Sequence, residues 1–338
     1  MRPDIDAWLA RCPDPATDPF PGMAEAGLFE PLDSYMAIAR VKAALIERTG
    51  LMGVGGAWGG RQIVGRYFID GFGTVAQKAA WHGKAAAVAI SEPKVGAHPK
   101  LLTTRAEPDG DFVRITGEKA WTSNGPSADV IIVFAIVAET EGRKRYGAFL
   151  VPRDAPGVTL KDMPGFHALR PSRHCGVVLD NVRVPRTALL GGNPDLDAYP
   201  RMALPFRDQE DAVGTFSLLG AFRFLLPRLT AGRALEEAEA LSLGAIAALV
   251  EVFAAGAEAV VAALDAGRLE NGSPTLVGLR VLAVDILAHV QAFPRDGIGD
   301  GAEAAVTAML SDIEAVLGVA RGPRLARQAR LGMKLAGR

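Results

Sequence analysis

The residues best suited to chemistry lie between Ala89 and Gly125. Ser91-Glu92-Pro93 follows strand-like residues and opens a loop closed by Gly96. Further on, Trp121 and Ser123 end the segment DFVRITGEKAWTSNG, whose alternation is read as placing the two on opposite faces of an extended chain. Backbone groups at a strand end, one hydroxyl and one large flat aromatic can hold a planar polar ligand. Each piece alone is ordinary: S-E-P is a common turn, and a strand tryptophan is commonly core. A second group is acidic. Asp208, Glu210 and Asp211 crowd the head of an expected helix, where the helix dipole favours acids whether or not they do chemistry. His98 has no second His, Cys or carboxylate beside it at metal-ligand spacing, so no metal site is expected.

The rest of the chain must position these groups. It has 338 residues, 49% hydrophobic and 22% charged, which is ordinary for a soluble globular protein with a sizeable core. A net charge of -1 supplies no general attraction to nucleic acid or to an anionic membrane. Cys12 and Cys175 lie far apart, and MRPDIDAWLARCPDP has acids and prolines where a signal peptide needs an apolar run. Two reduced thiols in a cytoplasmic protein are expected. VIIVFAIVA (130–138) is too short to cross a bilayer. The Ala-rich stretch Leu241–Leu264 is interrupted by Glu251 and Glu258 and is read as a buried soluble helix.

Periodicity changes twice along the chain. Met23–Leu28 is read as a short helix, and Leu32–Thr49 carries a helical apolar face. GLMGVGGAWGG (50–60) lacks the Gly-Lys-Ser/Thr of a phosphate loop and follows a helix rather than a strand, so it is read as a flexible turn. Ile63–Ile90 is helical in tendency, broken at Gly71 and Gly73. Short β-branched runs then appear at Phe112–Thr116, Val130–Val137, Tyr146–Val151 and Gly176–Leu179, which predicts an antiparallel β domain. Helices return at Asp208–Leu226, Leu235–Leu264, Thr275–Phe293 and Glu303–Val319, followed by a basic last segment. The expected layout is α+β: an N-terminal helical domain at 1–85, a middle β domain at 86–192 and an antiparallel helical bundle at 193–338.

The order SEPKVG, GEKAWTSNGPSAD, GAFLVPRDAPGV and LRPSRHCGVVLDNVRVP resembles the middle domain of the acyl-CoA dehydrogenase family, and FGTVAQKAAWHG resembles the segment just ahead of it. The resemblance implies FAD as cofactor, an acyl-CoA substrate, an electron-transfer flavoprotein as acceptor, a place in fatty acid metabolism and a homodimer or homotetramer. It also implies that Ala89, Ser91 and Gly96 border the flavin, with Ser91 at its pyrimidine edge. Trp121 would lie against the ring and Ser123 near N5. The family's usual C-terminal base follows a Q-x-x-G-G-x-G segment that this chain lacks. A minority of members place the base at the first bundle helix, and counting back from Gly220 puts Glu210 there, with Asp211 where an Arg is usual. Ala97 and His98 replace the family's Ser and Asp, and the R-x-x-F-G-x-x-x-x-x-x-Q segment that reaches the adenosine end is absent between Gly220 and Gly272. These departures keep open an alternative: a non-catalytic or half-site subunit with weakened FAD binding. Arg170 and Arg173 match a turn of the middle domain and are read as surface residues.

Overall fold

The computed structural model describes residues 3–337 except Pro164, Gly232, Asn271 and Ala320. Helices α1 (Ile5–Leu9), α2 (Tyr35–Thr49), α3 (Met52–Val64) and α4 (Val75–Trp81) come first. Seven strands follow: β1 (Ala86–Ala89), β2 (Arg105–Asp109), β3 (Phe112–Ser123), β4 (Val130–Thr140), β5 (Arg143–Pro152), β6 (Val158–Asp162) and β7 (His174–Pro185). The chain then returns to helix with α5 (Leu204–Leu225), α6 (Glu237–Asp265), α7 (Pro274–Ala292), α8 (Asp300–Gly318) and α9 (Arg321–Leu335). Met23–Leu28, read as a short helix, is a run of turns.

Helix ends carry the residues that helix ends need. Ser34 caps α2 by accepting from the Ala37 amide at 3.0 Å, and Gly50 closes it at φ 70°. Thr74 and Gln77 form a capping box on α4. Gln77 does more than cap, since its amide donates to the Thr187 and Leu189 carbonyls at 2.8 Å each. Thus the F-G-T-x-x-Q stretch ties the last N-terminal helix to the exit of the sheet.

The glycine-rich segment is helix α3, not a flexible turn. Its glycines are there for close approach. A Cβ on Gly53 would stand 2.0 Å from the Leu169 carbonyl oxygen, and one on Gly60 would stand 2.5 Å from Asn124 Nδ2. The low helix propensity of glycine is overridden by what packs on it. Gly53→Ala meets backbone that cannot swing aside. An expected cost of about 1–3 kcal/mol for overpacking would be read from a urea unfolding midpoint; an unchanged midpoint would show that the loop yields freely.

The sheet, expected as antiparallel, is mixed. β3 pairs antiparallel with β2 and β7, β7 with β6, and β4 with β5. β1 and β2, however, run parallel to β4 along its other edge, β1 at Val130–Val133 and β2 at Ile136. Parallel pairing follows from the connections. The chain enters β1 from α4 and returns to β4 only after the β2–β3 hairpin. Both faces of β4 are covered. Val130, Ile132, Phe134 and Ile136 belong to the core shared with the helices, while Ile131, Val133 and Ala135 belong to a second core formed within the sheet. A strand buried on both faces reads as a continuous apolar run, which is why 130–138 has no polar alternation.

In the helical part, α5 packs on α2 and α6, and α7 on α6 and α8. Gly220 permits the α5–α2 crossing, for a Cβ there would meet the Ala43 carbonyl oxygen at 2.5 Å. Two helices, α6 and α7, are long and apolar enough to cross a membrane by length and composition. Here each turns a buried face to the bundle, with Phe253, Ala257 and Val261 on α6 and Ala283 and Ile286 on α7. α9 is held differently. Its Arg327 pairs with Asp208 at 2.7 Å and with Asp211 at 3.4 Å, Arg324 reaches Asp211 at 3.3 Å, and none of its residues is buried.

Candidate functional site

The S-E-P loop and the end of β3 are clamped together by a buried ion pair. Glu92 lies between Lys119 and two threonines: Lys119 Nζ donates to Oε1 at 3.0 Å, as do the Thr104 amide at 2.9 Å and hydroxyl at 2.6 Å. Oε2 accepts from the Thr103 amide and hydroxyl at 2.7 and 2.8 Å. Both charged side chains are buried, at 0% and 4% exposure for Lys119 and Glu92. Desolvation pushes the Glu92 carboxyl up, but Lys119 and Thr104 together outweigh it and bring the pKa down to about 2. Burial is also the largest influence on Lys119, which falls to about 8 against the opposing pull of Glu92. A carboxylate with five donors and a counter-charge satisfies the conditions under which a buried pair is tolerated. Both residues lie in the motifs S-E-P and G-E-K, yet pattern reading assigned neither a task.

The clamp brings the sequence-singled residues together. The Ala120 amide donates to the Ser91 carbonyl at 2.8 Å, so Ser91 lies directly beside the Trp121 segment. A β-bulge sits there: between Lys119↔Val177 and Thr122↔Cys175, Ala120 and Trp121 oppose only Gly176. The extra residue lets Lys119 point inward while Trp121 points out, and Trp121 takes a left-handed φ of 60°. Trp121 and Ser123 are both exposed and flank buried Thr122. Both therefore turn away from the core, and they do not point to opposite faces. The Phe166 ring stands edge-on to Trp121 at 5.3 Å and to His174 at 5.0 Å. His174 is itself the register partner of Ser123.

Ala89 is fully buried and ends β1, so it can offer a ligand only backbone. Gly96 closes the loop at φ 58° and bonds back to Glu92 through both backbone groups at 2.9 and 3.0 Å. The Ala97 carbonyl is engaged by the Tyr199 hydroxyl, and His98 is exposed. Asn124, from T-S-N-G, donates to the Ala57 carbonyl of α3 at 3.1 Å and accepts from the Ser172 hydroxyl at 3.3 Å. Asp312 of α8 accepts from the Leu169 amide at 2.8 Å, holding the 166–173 loop from the bundle side. Arg170 and Arg173 flank that loop; Arg173 is exposed and its carbonyl accepts from Asn124 N at 2.7 Å.

Glu210 is on the first two turns of α5, away from the clamp, and its side chain is exposed. Its proton affinity is nonetheless raised. Desolvation by the surrounding protein is the chief cause and Asp211 adds to it, while Lys42, Arg207 and Arg324 oppose. The two acids beside it are spoken for, Asp208 and Asp211 being paired with α9. Glu210 is the acid of this cluster left free to meet a ligand. Among the described residues no group of three or more His, Cys, Asp or Glu could hold a metal ion.

A family model, "Acyl-CoA dehydrogenase, middle domain", matches residues 87–182. The probable acyl-CoA dehydrogenase FadE10 of Mycobacterium tuberculosis is 38% identical over 131 residues, covering 36% of this chain and 20% of its own. The mitochondrial short-chain specific acyl-CoA dehydrogenase of Bos taurus is 34% identical over 126 residues, covering 36% of this chain and 31% of its own. The chain therefore spans only a fifth to a third of the length of these relatives. Over the whole chain the likeness is one of fold. A glutaryl-CoA dehydrogenase from Mycobacterium smegmatis in complex with FADH2 superposes with a TM-score of 0.77, covering 100% of this chain and 91% of its own at 22% identity. Butyryl-CoA dehydrogenase from Megasphaera elsdenii gives 0.77 over 90% of this chain and 82% of its own at 19% identity. Residues 87–182 thus match the middle domain of the acyl-CoA dehydrogenase family, and the chain as a whole shares the helix–sheet–helix fold of these solved structures.

Proposed function

We propose that the protein is a FAD-dependent oxidoreductase that removes the α proton and β hydride of an acyl-CoA thioester to give a 2-enoyl-CoA. The observation that carries this reading is the clamped junction: the Glu92–Lys119 pair holds Ser91 beside an outward Trp121 and Ser123 on one face. An exposed indole, two hydroxyls and free backbone at a strand end suit a flat ring edged with carbonyl and amide groups. The donor set therefore fits the isoalloxazine part of FAD. Trp121 would lie against the ring, Ser123 near its reactive nitrogen, and Ser91 with the backbone from Ala89 to Gly96 along its pyrimidine edge.

A flavin held by these residues would supply the hydride acceptor. The chain's own part is the proton. Glu210 takes it from the carbon α to the thioester, which requires the carboxylate to be ionised at working pH and within hydrogen-bond reach. Desolvation, with Asp211 beside it, raises its proton affinity, and so its strength as a base. Donors must meet the thioester oxygen, where negative charge builds. The two electrons pass on to an electron-transfer flavoprotein, and the working unit is a homodimer or homotetramer in the cytoplasm, in fatty acid metabolism. The domains divide at 1–85, 86–192 and 193–338.

The second reading, a non-catalytic subunit with weakened FAD binding, is favoured by Ala97, which has no hydroxyl where relatives have serine. The visible spectrum decides. The purified protein is expected to be yellow and to bleach without oxygen when given an acyl-CoA of suitable length. A colourless protein that FAD does not reconstitute overturns the first reading in favour of the second.

A further inference from the structure

Asp312 lies outside every motif of the family resemblance. It is on α8, whose buried face is made by Val306, Met309, Leu310 and Ile313. Its own carboxylate turns instead to the β domain, where Oδ1 accepts from the Leu169 amide at 2.8 Å. Leu169 is in a conformation that needs holding. Its φ is 61°, a left-handed value unusual for a bulky side chain, and such a residue persists only where its surroundings fix it. Asp312 takes the amide. The carbonyl lies against α3, 2.0 Å from where a Cβ on Gly53 would stand. Among the described residues the His167, Ala168 and Arg170 amides have no protein acceptor, so the bond to Asp312 is what engages the middle of the loop from the bundle side. Three residues before Leu169, Phe166 stands edge-on to Trp121, which is 50% exposed and has no other aromatic ring against it among the described residues. The kink at Leu169 thus governs where the Phe166 ring lies on the indole.

We propose that Asp312 is a positioning residue for Trp121. Through the Leu169 amide it sets the loop so that Phe166 holds the indole in one orientation, with its free face ready for a flat ring. The inference rests on the reading of Trp121 as the wall of a flavin site. A half-exposed indole without that neighbour is free to change rotamer and has to be ordered when a ligand arrives, which weakens binding by about two- to tenfold for one side chain. An edge-on ring removes that freedom beforehand and adds the attraction between the edge of one ring and the face of another. Asp312 suits the task because nothing else claims it. It has no counter-charge among the described residues, and the Leu169 amide is the one partner that favours its ionised form against burial. A carboxylate of the helical bundle thereby acts on a ring of the β domain by way of a single backbone amide.

Three variants test this. Asp312→Leu removes the acceptor, Asp312→Asn keeps an oxygen that accepts from the Leu169 amide, and Phe166→Leu removes the ring at the other end of the contact. The first readout uses the full chain before FAD is added: acrylamide quenching of Trp121, taken as the fluorescence that Trp121→Phe lacks. The quenching constant should rise in Asp312→Leu and in Phe166→Leu, and stay at the wild-type value in Asp312→Asn. It should rise no further when Asp312→Leu and Phe166→Leu are combined, because both act through one contact. The second readout is FAD affinity by fluorescence titration. Asp312→Leu should bind about two- to tenfold more weakly than wild type, and Asp312→Asn as well as wild type. A merely structural role would lower stability without changing the exposure of Trp121. An unmoved quenching constant in either Asp312→Leu or Phe166→Leu, or additive effects in the double variant, overturns the proposal. If quenching responds as expected while the wild type takes up no FAD, the positioning of Trp121 stands and it is the flavin reading that has failed.

Discussion

Glu210→Gln is expected to retain its flavin and lose its bleaching. The substitution preserves shape and removes the proton acceptor, and loss of a general base lowers rate by about 10²–10⁴-fold. Flavin content should be unchanged, because the proposed ring contacts at Ser91, Trp121 and Ser123 belong to the clamp and not to α5. The measurement is flavin absorbance per chain together with the anaerobic bleaching rate, wild type against variant. Equal rates would send the search for the base elsewhere. Direction with pH follows from desolvation, the main influence on Glu210, which raises its pKa from the ordinary 4.5. The wild-type rate should therefore fall on acidification through a value above 4.5, where the carboxylate takes up its proton and cannot accept another.

The second large effect is on stability. Glu92→Gln leaves the Lys119 ammonium buried with no counter-charge, and breaking a buried pair from one side costs about 3–5 kcal/mol. Urea unfolding of Glu92→Gln, Lys119→Met and the double variant would measure it. Both singles should be strongly destabilised, with the double losing much less than their sum. A single costing under about 1 kcal/mol would mean that the pair does not hold the loop. The carboxyl pKa of about 2 in the folded protein lies below the ordinary 4.5. Its contribution is therefore complete above 4.5 and is lost as pH falls toward about 2. The wild type should show that acid-side loss, and Glu92→Gln should lack this part of it.

How much of this could be read in the chain differs from one element to the next. The order of helix, sheet and helix was legible because period changes at either end of the sheet are long and clean. β1, β2 and β6 were missed. They are four or five residues each, and β2, RAEPD, carries a proline and two acids. α3 was misread because local propensity says turn, whereas its glycines answer to what packs on them: Gly53 and Gly56 to the 169–173 loop, more than a hundred residues away, Gly55 and Gly59 to α2, and Gly60 to Asn124. The face of Trp121 depends on a single bulge, and a bulge is a matter of pairing with β7 that β3 alone does not encode. The Glu92–Lys119 clamp was in plain sight as letters. Only the fold brings positions 27 residues apart within 3.0 Å. The charges that act on Glu210 were likewise beyond local reading, since Lys42 on α2 and Arg324 on α9, which oppose its raised proton affinity, come from opposite ends of the chain.

The double burial of β4 has a consequence for how its alignment is encoded. Alternation normally specifies register, because a slip by one residue exchanges an inward set for an outward one. In β4 the exchange would swap Val, Ile, Phe and Ile for Ile, Val and Ala, so both settings bury aliphatic side chains and the strand itself says little about which is right. The information must come from a polar peg outside the run, and Asp129 is placed to be one. Its side chain accepts from the Ala85 amide at 2.7 Å, its own amide donates back to the Ala85 carbonyl at 2.8 Å, and its carbonyl accepts from Arg153 at 3.1 Å. A single residue just before the strand thus fixes the start of β1, β4 and the end of β5 to one another. The most hydrophobic strand of the protein takes its address from an aspartate.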